Sequence, residues 1–188
     1  METKLKENFK PDAYIFPVPV VLVSCGIQGE KENIITIAWT GVANSEPPMT
    51  YLSIRKNRYS HQLIKDTGEF VINLVDKNML DKVDHCGIVS GRDENKFEFC
   101  GFTSVKALMV NSPAIQECPV QIACKVVKIM ELGSHDMFLA EIISVSGDWS
   151  LKGRDNELDI DRINLMAYSN GGYYELGEKL GEYGFSKE

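Results

Sequence analysis

Two short β-branched runs, each closed by turn chemistry, constrain this chain more than any other feature. Val18-Pro19-Val20-Val21-Leu22-Val23-Ser24-Cys25 ends at Gly26, and Asn33-Ile34-Ile35-Thr36-Ile37-Ala38-Trp39 follows after the polar Gly29-Glu30-Lys31-Glu32. Runs of this kind, bounded by glycine and charge, read as strands, and the pair reads as a hairpin. The rest of the chain repeats the theme. Met49 to Arg55 alternates as a third strand and Glu69 to Val75 reads as a fourth. Val120 to Met130 places Val120, Ile122, Cys124 and Val126 at period two, and Met137 to Ser146 is the nearly continuous apolar run of a strand covered on both faces.

Between the strands stand two helix candidates. Tyr59 to Asp66 carries Leu63 and Ile64 on one side and stops at Gly68, so a short helix is expected from about Ser60. Lys77 to Cys86 is the second. Pro47-Pro48 marks a loop, Gly87 to Gly101 reads as loop, and Gly133-Ser134-His135-Asp136 reads as a turn. Many strands, two short helices and tight turns point to a β-barrel with helical decoration. A single domain over 1–188 is expected, with a polar lead-in at 1–16 and a Gly- and Tyr-rich tail at 168–188.

Charge and cysteine usage narrow the function. The formal net charge is −7, and an acidic surface repels phosphate backbones, so no nucleic acid is expected as a partner. Met1 to Lys10 lacks the apolar core of a signal peptide, and no apolar run approaches the roughly 20 residues that span a bilayer. No membrane association is expected, and a cytoplasmic location is. The five cysteines contain no C-x-x-C pair and read as reduced, packed thiols. His61, His85 and His135 are scattered, so no metal is expected. No G-x-G-x-x-G follows a strand, which leaves a Rossmann nucleotide site unsupported.

Four segments could carry chemistry. Arg55-Lys56-Asn57-Arg58-Tyr59-Ser60 stands directly before the first helix, where free N–H groups and a partial positive charge favour an anion. It reads either as a phosphate cradle or as a solvated loop with Ser60 as an ordinary N-cap. Asn33 to Thr40 could supply main-chain hydrogen bonds and a flat wall to a ring, or be a buried strand. Ser90-Gly91-Arg92-Asp93-Glu94-Asn95-Lys96-Phe97 joins a flexible glycine to cations, which suits closure over an anion but also an ordinary charged loop. His135 could meet a nicotinamide or donate a proton, or simply hold its turn.

Taken in order, several motifs resemble the flavin reductase-like family of FMN-binding split barrels, and its flavoredoxin branch in particular. They are Asn33-x-x-Thr36-x-Ala38-Trp39, Arg55-x-x-Arg58-x-Ser60, Gly68-Glu69-Phe70-Val71-Ile72-Asn73, Ser90-Gly91 with Lys96-Phe97, His135-x-x-Phe138-x-x-Glu141, and the tail from Tyr174 to Ser186. The resemblance implies a mainly β fold: a six-stranded antiparallel split barrel with flanking short helices, working as a homodimer. It implies FMN with its ring against Thr36, Ala38, Trp39 and Thr40. The phosphate would meet Arg58 and Ser60, helped by Ser53, Arg55 and Lys96, with Ser90 and Gly91 near the ribityl chain or phosphate. His135 would be the catalytic residue at the flavin. NADH or NADPH would reduce the bound FMN, which passes electrons to a small-molecule or protein acceptor. The alternative is a carrier reduced by a protein partner, with no nicotinamide site.

Overall fold

The computed structural model describes residues 5–187; residues 1–4 of the expected lead-in and Glu188 of the tail lie outside the described residues. The strands, in chain order, are β1 (Val18–Pro19), β2 (Val21–Ile27), β3 (Lys31–Ile37), β4 (Thr40–Ser45), β5 (Pro48–Arg55), β6 (Glu69–Leu74), β7 (Ser104–Lys106), β8 (Pro113–Ile115), β9 (Val120–Glu131), β10 (His135–Gly147), β11 (Met166–Ser169) and β12 (Gly172–Glu175). The helices are α1 (Tyr59–Thr67), α2 (Leu80–Ile88) and α3 (Lys96–Phe99).

Seven of the strands form one antiparallel sheet in the order β3-β2-β6-β9-β10-β5-β4. The expected hairpin is present, with Val21 opposite Ile37 and Ile27 opposite Lys31. The count is seven rather than six because Thr40 to Ser45 pairs with β5 and extends the sheet. The sheet is not closed into a barrel: β3 and β4 are its two ends. The Ser53 amide donates to the Trp39 carbonyl at 2.9 Å, extending the β4–β5 ladder by one residue.

Alternation along β2 explains both faces. Val21, Val23 and Cys25 point into the hollow of the sheet, where they meet Ile35, Ile37, Leu52, Ile54, Phe70 and Phe138. Leu63 and Ile64 of α1 fill the same core, so the helix is anchored inside the curved sheet. Its stop is the expected one: Gly68 adopts φ 67°, a left-handed turn that glycine enters without cost, and its amide donates to the Ile64 carbonyl at 2.8 Å.

Leu22 and Ile34 face the other way and pack with Val83 and Cys86 of α2 and Phe97 of α3. With both faces of β2 covered, the run is apolar but for Ser24, whose buried hydroxyl donates to the Pro113 carbonyl at 2.6 Å. Two helical features fall in the segment expected to be loop: α2 continues to Ile88, and Lys96–Phe99 forms the one-turn α3. Asn95 caps α3, its carboxamide oxygen accepting from the Phe97 and Glu98 amides. The tail is partly sheet. Tyr168 pairs with Val18 and with Tyr173, in a three-stranded sheet of β1, β11 and β12. His135 and Asp136 begin β10 rather than sitting in the turn before it.

Candidate functional site

The N-terminus of α1 opens onto a cavity of about 210 Å³, lined by Asn33, Asn57, Arg58, Tyr59, Ser60, Ser90, Gly91, Arg92 and Lys96. A second cavity of about 300 Å³ lies alongside, lined by Thr36, Ala38, Trp39, Ser53, Arg55, His135 and Tyr168. Ile35 and Arg58 border both, so the two form one cleft with a cationic end and an aromatic end.

The cationic end is built by three segments. Arg58 is the N-cap residue of α1, in extended conformation, and its side chain makes no cap hydrogen bond. Of the first-turn amides behind it, that of His61 donates to the Arg58 carbonyl at 3.1 Å, while those of Tyr59 and Ser60 stand where a helix offers no intrahelical acceptor. Ser60 is therefore not the N-cap. It lies within the first turn, fully buried, and its hydroxyl accepts from Asn33 Nδ2 at 2.8 Å. Gly91 presses on the same asparagine: a Cβ there would fall 2.0 Å from Asn33 Oδ1, so no larger residue fits without displacing the Asn33 side chain. Arg92 reaches across the rim, donating from Nη1 to the Asn57 carbonyl at 3.1 Å, with its guanidinium carbon 5.3 Å from the Tyr59 ring centre.

Lys96 forms the floor. Its side chain is 3% exposed, and Nζ donates to the carbonyls of Ile34 at 2.9 Å and Cys86 at 2.8 Å. An ammonium has three donors, so one is left over. Among the described residues no carboxylate lies within ion-pair reach of it. Burial pushes Lys96 below the ordinary lysine value, and the Arg58 charge pushes the same way. Two cations that repel each other at the wall of a polar cavity leave that cavity short of an anion.

At the aromatic end, Trp39 and His135 stack with ring centres 4.6 Å apart and planes 29° apart. Burial, with Arg55 adding to it, holds His135 below its ordinary value, so the imidazole is neutral at pH 7. Ser134 Oγ lies 2.9 Å from Nδ1. The Thr36 hydroxyl is committed to the Val83 carbonyl of α2, which leaves main chain rather than hydroxyl on the cleft side.

Of the residues named from sequence, Arg58, Ser60, Ser90, Gly91 and Lys96 meet at the smaller cavity, and Thr36, Ala38, Trp39, Ser53, Arg55 and His135 at the larger. Ser53 and Arg55 thus stand with the aromatic end rather than with the other cations. Thr40 lines neither; it is buried in β4, donating to the Tyr51 carbonyl at 2.6 Å. Tyr168 and Asn57 line the cleft without having been singled out. Asn33 had a visible signal, a polar residue inside an apolar strand.

A buried hydrogen bond ties α1 to the start of β10. His61, one residue beyond Ser60, places Nε2 2.8 Å from Asp136 Oδ2, and Asp136 follows His135. Lys56 Nζ approaches Asp136 Oδ1 at 3.3 Å without hydrogen-bond geometry, leaving that oxygen unpaired. Burial alone would raise the Asp136 carboxyl, but His61 and Lys56 outweigh it and hold it below the ordinary value. Among the described residues no cluster of His, Cys, Asp and Glu could hold a metal ion, and no helix is long and apolar enough to cross a membrane.

Comparison with known proteins agrees with this architecture over its full extent. The family described as "Flavin reductase like domain" matches residues 13–177. An uncharacterised protein of Archaeoglobus fulgidus is 35% identical over 158 residues, covering 84% of this chain and 87% of that protein. The solved flavoredoxin of Desulfovibrio vulgaris (Miyazaki F) superposes with a TM-score of 0.88 at 29% identity, over 98% of this chain and 100% of the other. Flavoredoxin from Methanosarcina acetivorans gives 0.86 at 26% identity, over 97% and 98%. With a family match that spans all seven strands of the main sheet and every residue of the cleft, the chain belongs to the flavin reductase-like family.

Proposed function

We propose that this protein binds FMN along the joined cavities and passes electrons through it, from NADH or NADPH to a small-molecule or protein acceptor. The observation that carries the reading is the pair of unneutralised cations, Lys96 beneath and Arg58 beside the smaller cavity, at the N-terminus of α1. A phosphate ester supplies the missing charge there and takes the free amides and guanidinium together. The two-ended cleft fits the rest of FMN: a polar passage past Ser90 and Gly91, then a flat apolar wall at Trp39.

Bound FMN supplies a two-electron acceptor that can also release electrons singly. The chain's own part is placement. Arg58, Lys96 and the α1 amides hold the phosphate. Trp39 shields one side of the ring from water. The outer edge of β3, unpaired in the sheet, offers main-chain N–H and C=O groups to the ring's polar rim. A neutral His135, steadied by Trp39 and Ser134, hydrogen-bonds an incoming nicotinamide or acceptor without adding charge. The absorption spectrum of the purified protein, followed by mass analysis of the released cofactor, tests the reading. FMN is expected; FAD, haem, or apo-protein that takes up no FMN overturns it.

The name flavoredoxin on the relatives at 29% and 26% identity favours a second reading, in which a protein partner rather than a nicotinamide reduces the flavin. Anaerobic mixing with NADH and with NADPH separates the two, since only the first bleaches the flavin. A homodimer is proposed as the working form. Trp149, 81% exposed, and Leu180, 99% exposed, are apolar surface that a second copy would cover, and light scattering checks it. Five unpaired thiols suit the cytoplasm.

A further inference from the structure

Among the described residues Cys86 and Cys100 bring their Sγ atoms to 3.8 Å in the core behind β3. The other three cysteines are buried with no sulfur partner among the described residues. The separation exceeds a covalent S–S bond by about 1.8 Å. Cys86 lies in the last turns of α2 and Cys100 caps the C-terminus of α3. Every residue that this segment gives to the smaller cavity, from Val89 to Lys96, therefore lies between them. Lys96 itself holds the Cys86 carbonyl.

We propose that Cys86 and Cys100 form a reversible dithiol–disulfide site, oxidised by low-molecular-weight disulfides, that staples the cavity-lining segment shut. The Cys100 thiolate attacks one sulfur of the small disulfide, forming a mixed disulfide and releasing one thiol. Cys86 then gives up its proton and attacks Cys100 Sγ, forming the internal bond and releasing the second thiol. Two protein thiols are oxidised and one small disulfide is reduced to two thiols, so electrons and protons balance.

Access comes through α3. It is a single turn, which has little stability of its own, and Phe99 beside Cys100 is already exposed. Burial pushes the Cys86 thiol up to about 12 and raises Cys100 as well, so the closed state is slow to react and exchange waits on opening of that turn. The consequence for the cofactor rests on the FMN reading. A phosphate held by Lys96 and the α1 N-terminus keeps the segment closed, and so protects the thiols.

The folded protein is incubated with oxidised glutathione, quenched by alkylation, and mapped by peptide mass. Expected is a Cys86–Cys100 linked peptide pair, lighter by two hydrogens, reversed by dithiothreitol and absent in both Cys86→Ser and Cys100→Ser, while Cys25→Ser still forms it. Failure to link, or linkage through other cysteines, overturns the proposal. With FMN at about tenfold its Kd, linking should slow by about tenfold. Linking that proceeds equally fast with and without FMN leaves the dithiol site standing and counts against the cavity as the phosphate site, so the two ideas fail separately.

Discussion

Replacing Arg58 with alanine separates ligand recognition from folding. The Arg58 side chain is exposed and makes no cap hydrogen bond, and its charge pushes against Lys96. Its loss should leave apo-protein stability within about 0.5 kcal/mol of wild type. The cofactor loses more. A hydrogen bond to a charged group is worth about 1.5–3 kcal/mol, and each 1.4 kcal/mol is about tenfold in affinity. Solvent screens an exposed guanidinium, so the lower end applies and a Kd for FMN weakened by about tenfold is expected. The assay is quenching of FMN fluorescence on titration with apo-protein, repeated with riboflavin, which lacks the phosphate. Riboflavin should bind wild type and variant alike. An unchanged FMN affinity, or an equal loss for both ligands, would refute the phosphate assignment. A fall in melting temperature of the apo-protein would show that Arg58 serves the fold instead.

Gly91→Ala places a methyl 2.0 Å from Asn33 Oδ1 and displaces the carboxamide that holds Ser60; calorimetry should find FMN binding weakened by about tenfold or more, with the visible spectrum of residual complex little changed. His135→Ala should slow flavin reduction by NAD(P)H at matched FMN content while leaving the Kd nearly intact, as followed by rapid-mixing absorbance. Asp136→Ala leaves the buried His61 Nε2 without its partner and should cost about 1–3 kcal/mol in urea unfolding. The wild-type Asp136 carboxyl lies below its ordinary 3.8, so the folded state holds its proton less readily than the unfolded chain. Its contribution is complete above that value and is lost as pH falls through the lowered one. The variant's stability curve should lack that acid-side slope.

Local signals were enough where chemistry and secondary structure coincide. Leu63 and Ile64 with Gly68 as the stop marked α1, and Arg58 and Ser60 of the Arg55-x-x-Arg58-x-Ser60 motif do line the cavity at its N-terminus. Local signals were insufficient for β4. Gly41-Val42-Ala43-Asn44-Ser45 has mostly exposed side chains and no alternation, and it is a strand because β5 supplies a partner ladder. Lys96 looked like a loop cation. The one-turn helix capped by Asn95 fell inside a stretch read as loop, and the burial of Lys96 depends on α2 and β3 packing over it, a tertiary fact. The His61–Asp136 pair was hidden for the same reason, since the partners stand 75 residues apart.

The unpaired outer edge of β3 changes what mutation can reveal about the ring site. In a closed barrel that row of amides and carbonyls would be consumed by a neighbouring strand. Here the Thr36 hydroxyl is turned away toward α2, so along β3 itself a planar ligand would meet main chain, with Trp39 and His135 supplying the side-chain wall beyond it. Peptide groups are common to all residues, so side chains at positions 36 and 38 are free to drift without erasing recognition. Alanine scanning across the strand would report packing losses and little else. Proline, which alone deletes an N–H, is the substitution to which such a binding edge is blindly vulnerable. On the proposed FMN reading, a lineage of these proteins would retune the ring's surroundings side chain by side chain while main-chain contacts to its rim stay out of reach of most codon changes.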